Sequence, residues 1–402
     1  MNSQRKVRVL FVNSATQSGA DTQIHFLALK NLDPNLFERF AAGQPPLPGT
    51  PSPSFGELSR IPGVTIRATD FGPSLPGRDA RARFRAAFRV VPASMSLVGL
   101  SRYIRREGIE ILHATDRPRD AMACALLAAM TGAKSVIHVH VKYGDWMSRG
   151  VRWAFGRADA LVGVSDFVKR SLVDAGYSAE RVHAVPNAID VSRWDPALDP
   201  GPGRRVLETA IGAPLVVSVA RLFHWKGHAE LVRALPLVKK ELPGVRLAIV
   251  GADYPAGSGV SNELRALAAA LGVGSNLALT GQRADIASLL AASDVFALPS
   301  FEEPFGLVFA EAMAMKRPVV ALDNGGTPEV VTHGTTGLLS PPGNIQVLAE
   351  NLLTLLTNPA LRSEMGEKGR LDVERRFHAG RLARDLTVIY STLARSVGAD
   401  RS

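Results

Sequence analysis

The stretch LPSFEEPFGLVFAEAMAMKRPVVALDNGGTPE, residues 298–329, holds in succession a strand end, a loop that cannot be strand, and a buried helix. The apolar run 295–298 reads as the end of a strand, and Pro299, Ser300 and Pro304 prevent its continuation. Gly306 marks a helix start, and residues 307–315 are strong helix formers with almost no polar side chain. A helix apolar on nearly every side is a buried one. It nevertheless carries Glu311, and an unpaired buried carboxylate costs on the order of several kcal/mol, so this position calls for hydrogen-bond donors. The free backbone N–H groups of residues 306–308 and the positive end of the helix dipole favour an anion such as a phosphate. Glu303 stands in the loop just ahead of them. Taken alone, the two carboxylates have a plainer reading, with Glu303 capping a helix and Glu311 paired with a buried Arg or Lys.

At 402 residues the chain suits two domains. Its 46% hydrophobic and 21% charged content is that of a globular protein and excludes a disordered one. Cys124 is the only cysteine and cannot form an internal disulfide, so a reducing, cytoplasmic compartment is expected and Cys124 is read as core packing. The apolar run near the N-terminus ends by Val12, too short for a signal peptide, and no run approaches the roughly 20 residues of a membrane span.

A net charge of +10 admits nucleic acid, anionic lipid or anionic small substrates as partners. Arg78, Arg81, Arg83, Arg85 and Arg89 crowd one segment, with Arg102, Arg105 and Arg106 beyond an apolar interval. Interleaved with Phe84, Phe88, Met95 and Leu97, this region 78–106 reads either as an element lying on an anionic membrane surface or as the solvated face of an ordinary helix. Nucleic acid is disfavoured, since zinc-ligand spacing and an RNP-type aromatic strand are both missing.

Strand and helix patterns alternate along the whole chain, which implies parallel sheets wound on both faces. Residues 7–12 form the first strand, followed by a small-residue turn around Ser18 and Gly19 and then a helix. The G-x-G-x-x-G spacing of a dinucleotide site is missing there. Residues 44–62, rich in Pro, Gly and Ser, read as a surface loop. His138 and His140 alternate on a strand at 135–141 and so share a face, but neither a carboxylate nor a further His follows at recognisable metal-ligand spacing. In the second half Arg221 ends a strand at 215–220, with Lys226 and Gly227 just beyond. Ligands of such sheets bind outside the carboxyl ends of the strands, where these cations suit a diphosphate; alone, they equally suit a solvated surface.

Glu303 and Glu311, with Pro304, Phe305 and Gly306 between them, resemble the paired-glutamate motif of retaining glycosyltransferases of the GT-B fold, in particular glycosyltransferase family 4. Arg221 and Lys226, Gly281-Gln282-Arg283, Asn324-Gly325-Gly326-Thr327-Pro328-Glu329 and the turns at Gly337 and Gly343 follow the family's order. The resemblance implies an α/β fold of two doubly wound Rossmann-like domains facing a cleft. It places an N-terminal acceptor domain at 1–195, a nucleotide-sugar domain at 196–375, and a terminal helix at 376–402 crossing back to the first domain. By the same resemblance Glu303 lies near the donor sugar, while His140, rather than His138, faces sugar and acceptor. Arg221 and Lys226 bind the pyrophosphate and stabilise its departure. Glu311 takes the ribose hydroxyls, and Gly19, Gly251, Gln282, Arg283, Phe305, Gly306 and Leu307 complete the donor site.

The expected reaction is hexosyl transfer from a nucleoside diphosphate sugar to a hydroxyl of a saccharide or lipid-linked acceptor, with the anomeric configuration kept. Neither a metal nor another cofactor is expected, and the enzyme is expected at the inner face of the membrane or free in the cytoplasm. A nucleotide-sugar epimerase on the same fold and a non-catalytic nucleotide-sugar-binding protein remain alternatives.

Overall fold

The computed structural model describes residues 5–47, 49–72 and 90–399. The arginines at 78, 81, 83, 85 and 89 therefore lie outside the described residues. The chain divides into two units, Met1–Asn187 with Ala379–Ser402, and Ala188–His378. The division falls within the Pro186–Asp190 segment, because Ile189 already donates its N–H to the Phe377 carbonyl at 2.8 Å within the second unit.

The first unit holds β1 (Val7–Asn13), β2 (Phe37–Gly43), β3 (Val64–Ala68), β4 (Ile111–Thr115), β5 (Lys134–Val139), β6 (Ala160–Gly163) and β7 (Val182–Ala184), in the order β3-β2-β1-β4-β5-β6-β7. Every pairing is parallel. Helices cover both faces of such a sheet, so its central strands carry unbroken apolar runs: Val9, Leu10, Val12, Ile111 and Leu112 are fully buried. Cys124 lies in this core beside Leu112 and Leu127, as its apolar surroundings in the sequence suggest. The loop expected over residues 44–62 contains a short helix, Pro53–Leu58, started by a proline whose missing N–H costs nothing at that position. The last helix, Ala379–Ala399, belongs to this unit and packs on the first one, Ala20–Asn31. Its Tyr390 is fully buried, with the hydroxyl 2.6 Å from Nδ1 of His113.

The second unit holds β8 (Leu215–Val219), β9 (Arg246–Val250), β10 (Leu277–Leu279), β11 (Val295–Leu298), β12 (Val319–Leu322) and β13 (Gly337–Ser340), in the order β10-β9-β8-β11-β12-β13, again all parallel. Burying each Val, Leu or Phe of such a core contributes about 1.5–3 kcal/mol.

Strand order reverses direction between β1 and β4 in one sheet and between β8 and β11 in the other. At such a switch point the flanking helices part to opposite faces and leave a crevice at the carboxyl ends of the strands. Arg221 follows β8 there and the Pro299–Gly306 loop follows β11, while Asp116 follows β4 and His140 follows β5.

Candidate active site

In the second unit, Lys226 ends the 3-10 turn His224–Lys226, and its Nζ donates to Oε2 of Glu303 at 2.6 Å. Both side chains are nearly buried, 13% and 11% exposed, so the pair is little screened by water. Gly227 makes the approach of the two segments possible: its φ is +74°, and a Cβ there would lie 1.9 Å from the Pro299 carbonyl oxygen. The loop is also clamped from the other side. Glu302 donates its backbone N–H to the Asn324 side chain at 2.5 Å, and Gly326 donates its own to the Glu303 carbonyl at 2.7 Å.

Gly306, at φ +83°, caps the helix Leu307–Ala314, which presents its first N–H groups beside this loop. Phe305 is buried edge-on against Phe377, centroids 5.4 Å apart, so its side chain is core and only its backbone is free to meet a ligand. Arg221 is exposed, with its guanidinium 4.5 Å from the ring centre of Tyr254 and 5.4 Å from that of Phe223. The aromatic faces hold the cation in place without neutralising it. Glu311 has its carboxyl pushed up to about 7 by burial, with the charge of Arg193 partly opposing the shift. Gly251 donates its N–H to the Gly281 carbonyl at 2.9 Å, bridging the ends of β9 and β10. Next to it Gln282 is exposed, whereas the guanidinium of Arg283 is engaged by both oxygens of Asp285 at 2.7 and 2.8 Å.

In the first unit, Gly19 precedes the helix Ala20–Asn31, and Asp21 in its first turn makes a two-point ion pair with Arg117. Burial opposes the charge of Asp21, but Arg117 prevails and holds the carboxyl below its usual range. The His140 N–H donates to Asp116 at 3.1 Å. Asp116 is pushed up to about 7, first by burial and then by the negative charge of Asp21. Burial lowers His140 to about 4 despite Asp21, and its Nε2 has no partner. A neutral imidazole with an open nitrogen can accept a proton or a hydrogen bond from a hydroxyl.

His138 and His140 share a face as the strand alternation requires, with ring centroids 4.5 Å apart. Two further histidines join them that the linear spacing does not reveal. His25 comes from the first helix and His113 from β4, and nitrogens of His25, His113 and His138 lie within 4.8 Å of one another. The rings are packed as an aromatic group: His113 stacks on Phe11 at 4.6 Å and meets His25 edge-on at 4.6 Å. Burial depresses all of them, His113 to about 3 and His25 and His138 well below the free value.

These imidazoles make stability sensitive to acid. A histidine held neutral in the fold but charged in the unfolded chain supports folding fully above about pH 6.5, and that support fades as pH falls towards 4. At pH 5 each such group should cost roughly 2 kcal/mol. Asp116 and Glu311, pushed up to about 7, and Asp120, also raised by burial, act in the opposite sense. The depressed histidines, His228 included at about 4, outnumber them. Chemical denaturation at pH 7.5 and 5 should therefore show a net loss of several kcal/mol; equal stability at the two pH values would contradict neutral burial of the cluster.

Among known proteins, a family model described as glycosyl transferases group 1 matches residues 204–372, and one described as Glycosyltransferase Family 4 matches residues 56–193. A GDP-mannose-dependent monoacylated alpha-(1-6)-phosphatidylinositol monomannoside mannosyltransferase of Corynebacterium glutamicum is 32% identical, over 63% of this chain and 70% of its own length. The GDP-mannose-dependent alpha-(1-6)-phosphatidylinositol monomannoside mannosyltransferase of Mycobacterium tuberculosis is 30% identical, over 81% of this chain and 90% of its own. Among solved structures, Anabaena HepE in complex with UDP matches with a TM-score of 0.78 over 96% of this chain and 100% of that one, at 22% identity, a likeness of fold.

Proposed function

The chain belongs to the group 1 glycosyltransferases, with the two-domain α/β architecture of the GT-B fold, and on that premise we propose hexosyl transfer from a nucleoside diphosphate sugar to an acceptor hydroxyl with retention of configuration. The observation that carries the proposal is the buried Lys226–Glu303 pair, set at the switch point of the second sheet beside the helix start at Gly306. Lys226, Arg221 and the N–H groups after Gly306 would take the diphosphate, and Glu311 the ribose hydroxyls. Gly251, Gln282 and Arg283 stand at the strand ends nearest the nucleoside.

The sugar C1–O bond to the diphosphate breaks as the bond to the acceptor oxygen forms, and the acceptor proton passes to the departing diphosphate on the same face. Cations and helix dipole stabilise the charge that develops on the leaving group, which is where such groups lower the barrier most. A metal has no required place in this arrangement, and activity is expected to persist in chelator. Because two curated relatives are named as GDP-mannose-dependent, GDP-mannose is the donor to test first, with a lipid-linked or saccharide acceptor.

The proton-coupled NMR spectrum of the product should show the anomeric configuration of the donor; the opposite anomer would refute retention. In the same assay His140→Ala should lower turnover by about a hundredfold while leaving nucleotide affinity within about twofold, as expected of a group that meets sugar and acceptor only. Loss of nucleotide affinity would assign His140 to the donor instead.

A further inference from the structure

Eight large apolar side chains stand exposed on one side of the first unit's sheet, and the helices that carry seven of them expose no carboxylate. The helices Val90–Arg106, Pro118–Thr131 and Arg149–Arg157 connect β3 to β4, β4 to β5 and β5 to β6. Right-handed crossovers put all three on the same side of the sheet, and the second packs against both of the others. Each turns one stripe inward, through Leu100 and Ile104, Cys124 and Leu127, and Val151 and Phe155.

A soluble helix normally turns a polar stripe outward. Here the outward stripe of the first helix carries Val91, Met95 and Val98, exposed by 65%, 70% and 39%. That of the second carries Met122, Leu126 and Met130 at helical spacing, exposed by 37%, 42% and 39%. Trp153 follows on the third helix, and Trp146, 69% exposed, on the loop before it.

The exposed charges on the three helices have one sign. Arg102, Arg105, Arg106, Arg149 and Arg157 are exposed, whereas Asp120, the sole carboxylate within the three helices, is fully buried. Arg105 donates to the carbonyl of Met130, tying the first two helices together, and Arg157 lies 5.2 Å from the ring centre of Trp153. Off the helices, Asp145 is fully exposed 3.8 Å from Arg152, and Glu107 pairs with Arg106 at 2.7 Å.

We propose that this three-helix face docks on an anionic lipid surface. Met, Val and Leu would enter the acyl boundary, the two tryptophans would sit at headgroup depth, and the arginines, with long apolar stems and charged ends, would reach the lipid phosphates. A second copy of the chain is a poor occupant, since its five exposed arginines would meet five others with only Asp145 and the half-buried Glu107 beside them. The docking is independent of the glycosyl-transfer reading and is tested without nucleotide or acceptor.

The test is co-sedimentation of the full chain with vesicles of phosphatidylcholine alone or with phosphatidylglycerol added, comparing wild type with the variant Met95→Ser, Leu126→Ser, Trp146→Ser. All three positions are exposed, and an unchanged thermal midpoint checks that the variant folds. Wild type should pellet with the phosphatidylglycerol vesicles in preference to the neutral ones, and the variant should bind them about tenfold or more weakly. Equal binding by variant and wild type would overturn the proposal, and a dimer broken by the same substitutions, with no lipid binding, would show instead that a second copy covers the face.

Discussion

Lys226→Ala should lower kcat/KM by about a thousandfold, the effect expected when a preorganised cation is removed from a charged leaving group. The loss has two parts. On the proposed reading the diphosphate loses a nearly buried cation, and Glu303, 11% exposed, keeps its charge with its 2.6 Å partner gone and repels the incoming anion. The reverse substitution separates them. Glu303→Gln frees the ammonium, so nucleoside diphosphate should bind as tightly as in wild type or tighter, while turnover falls because the group near the sugar is lost. In the double variant, nucleotide affinity should recover part of what Lys226→Ala removes. Calorimetric titration of the four proteins, with steady-state rates, reads both quantities; a Glu303→Gln variant that binds nucleotide poorly and turns over normally would reverse the assigned roles.

The second large effect is in pH. Burial pushes the Glu311 carboxyl up to about 7, and ribose hydroxyls donating to it would favour the charged form. Binding should then release a proton and weaken as pH falls. With a free value of about 7 and a well-lowered one in the complex, affinity for a sugar nucleotide should drop by roughly 25-fold between pH 7.5 and 5.5. A sugar nucleotide is the appropriate ligand because its diphosphate has no group that titrates in this range. Glu311→Gln should bind more weakly at pH 7.5 and show a nearly flat profile. A wild-type profile as flat as that of the variant would remove Glu311 from the ribose.

Much of this arrangement could be read from residues 298–329 alone. Two prolines and a glycine delimit β11 and the helix Leu307–Ala314, and the conflict between an apolar helix and Glu311 singles out the carboxylate as a candidate before any partner is seen. Strand alternation likewise placed His138 and His140 side by side. What could not be read is which distant groups meet, since linear order carries no distance across a sheet. Lys226 and Glu303 are neighbours only because β8 and β11 are adjacent. The turn Asn324-Gly325-Gly326 was recognisable as a motif, but its work of holding the glutamate loop through Glu302 and Glu303 appears only in three dimensions. Arg193 beside Glu311, and Asp116, Asp21 and Arg117 around His140, left no local signal for the same reason. The exposed stripe Met122, Leu126, Met130 has the spacing of a buried one, and its exposure depends on which side of the helix faces the sheet.

The most direct test of the donor site is a thermal-shift panel of UDP, GDP, ADP and their sugars, with and without chelator, on wild type and Lys226→Ala. A ligand at a hundred times its Kd stabilises the fold by about 2.7 kcal/mol, enough to raise the midpoint by a few degrees. One nucleotide should shift the wild type, in chelator as well as without it, and should shift Lys226→Ala far less. A panel in which no nucleotide moves the wild-type midpoint, or in which Lys226→Ala responds as wild type does, would contradict the diphosphate site at Arg221, Lys226 and Gly306.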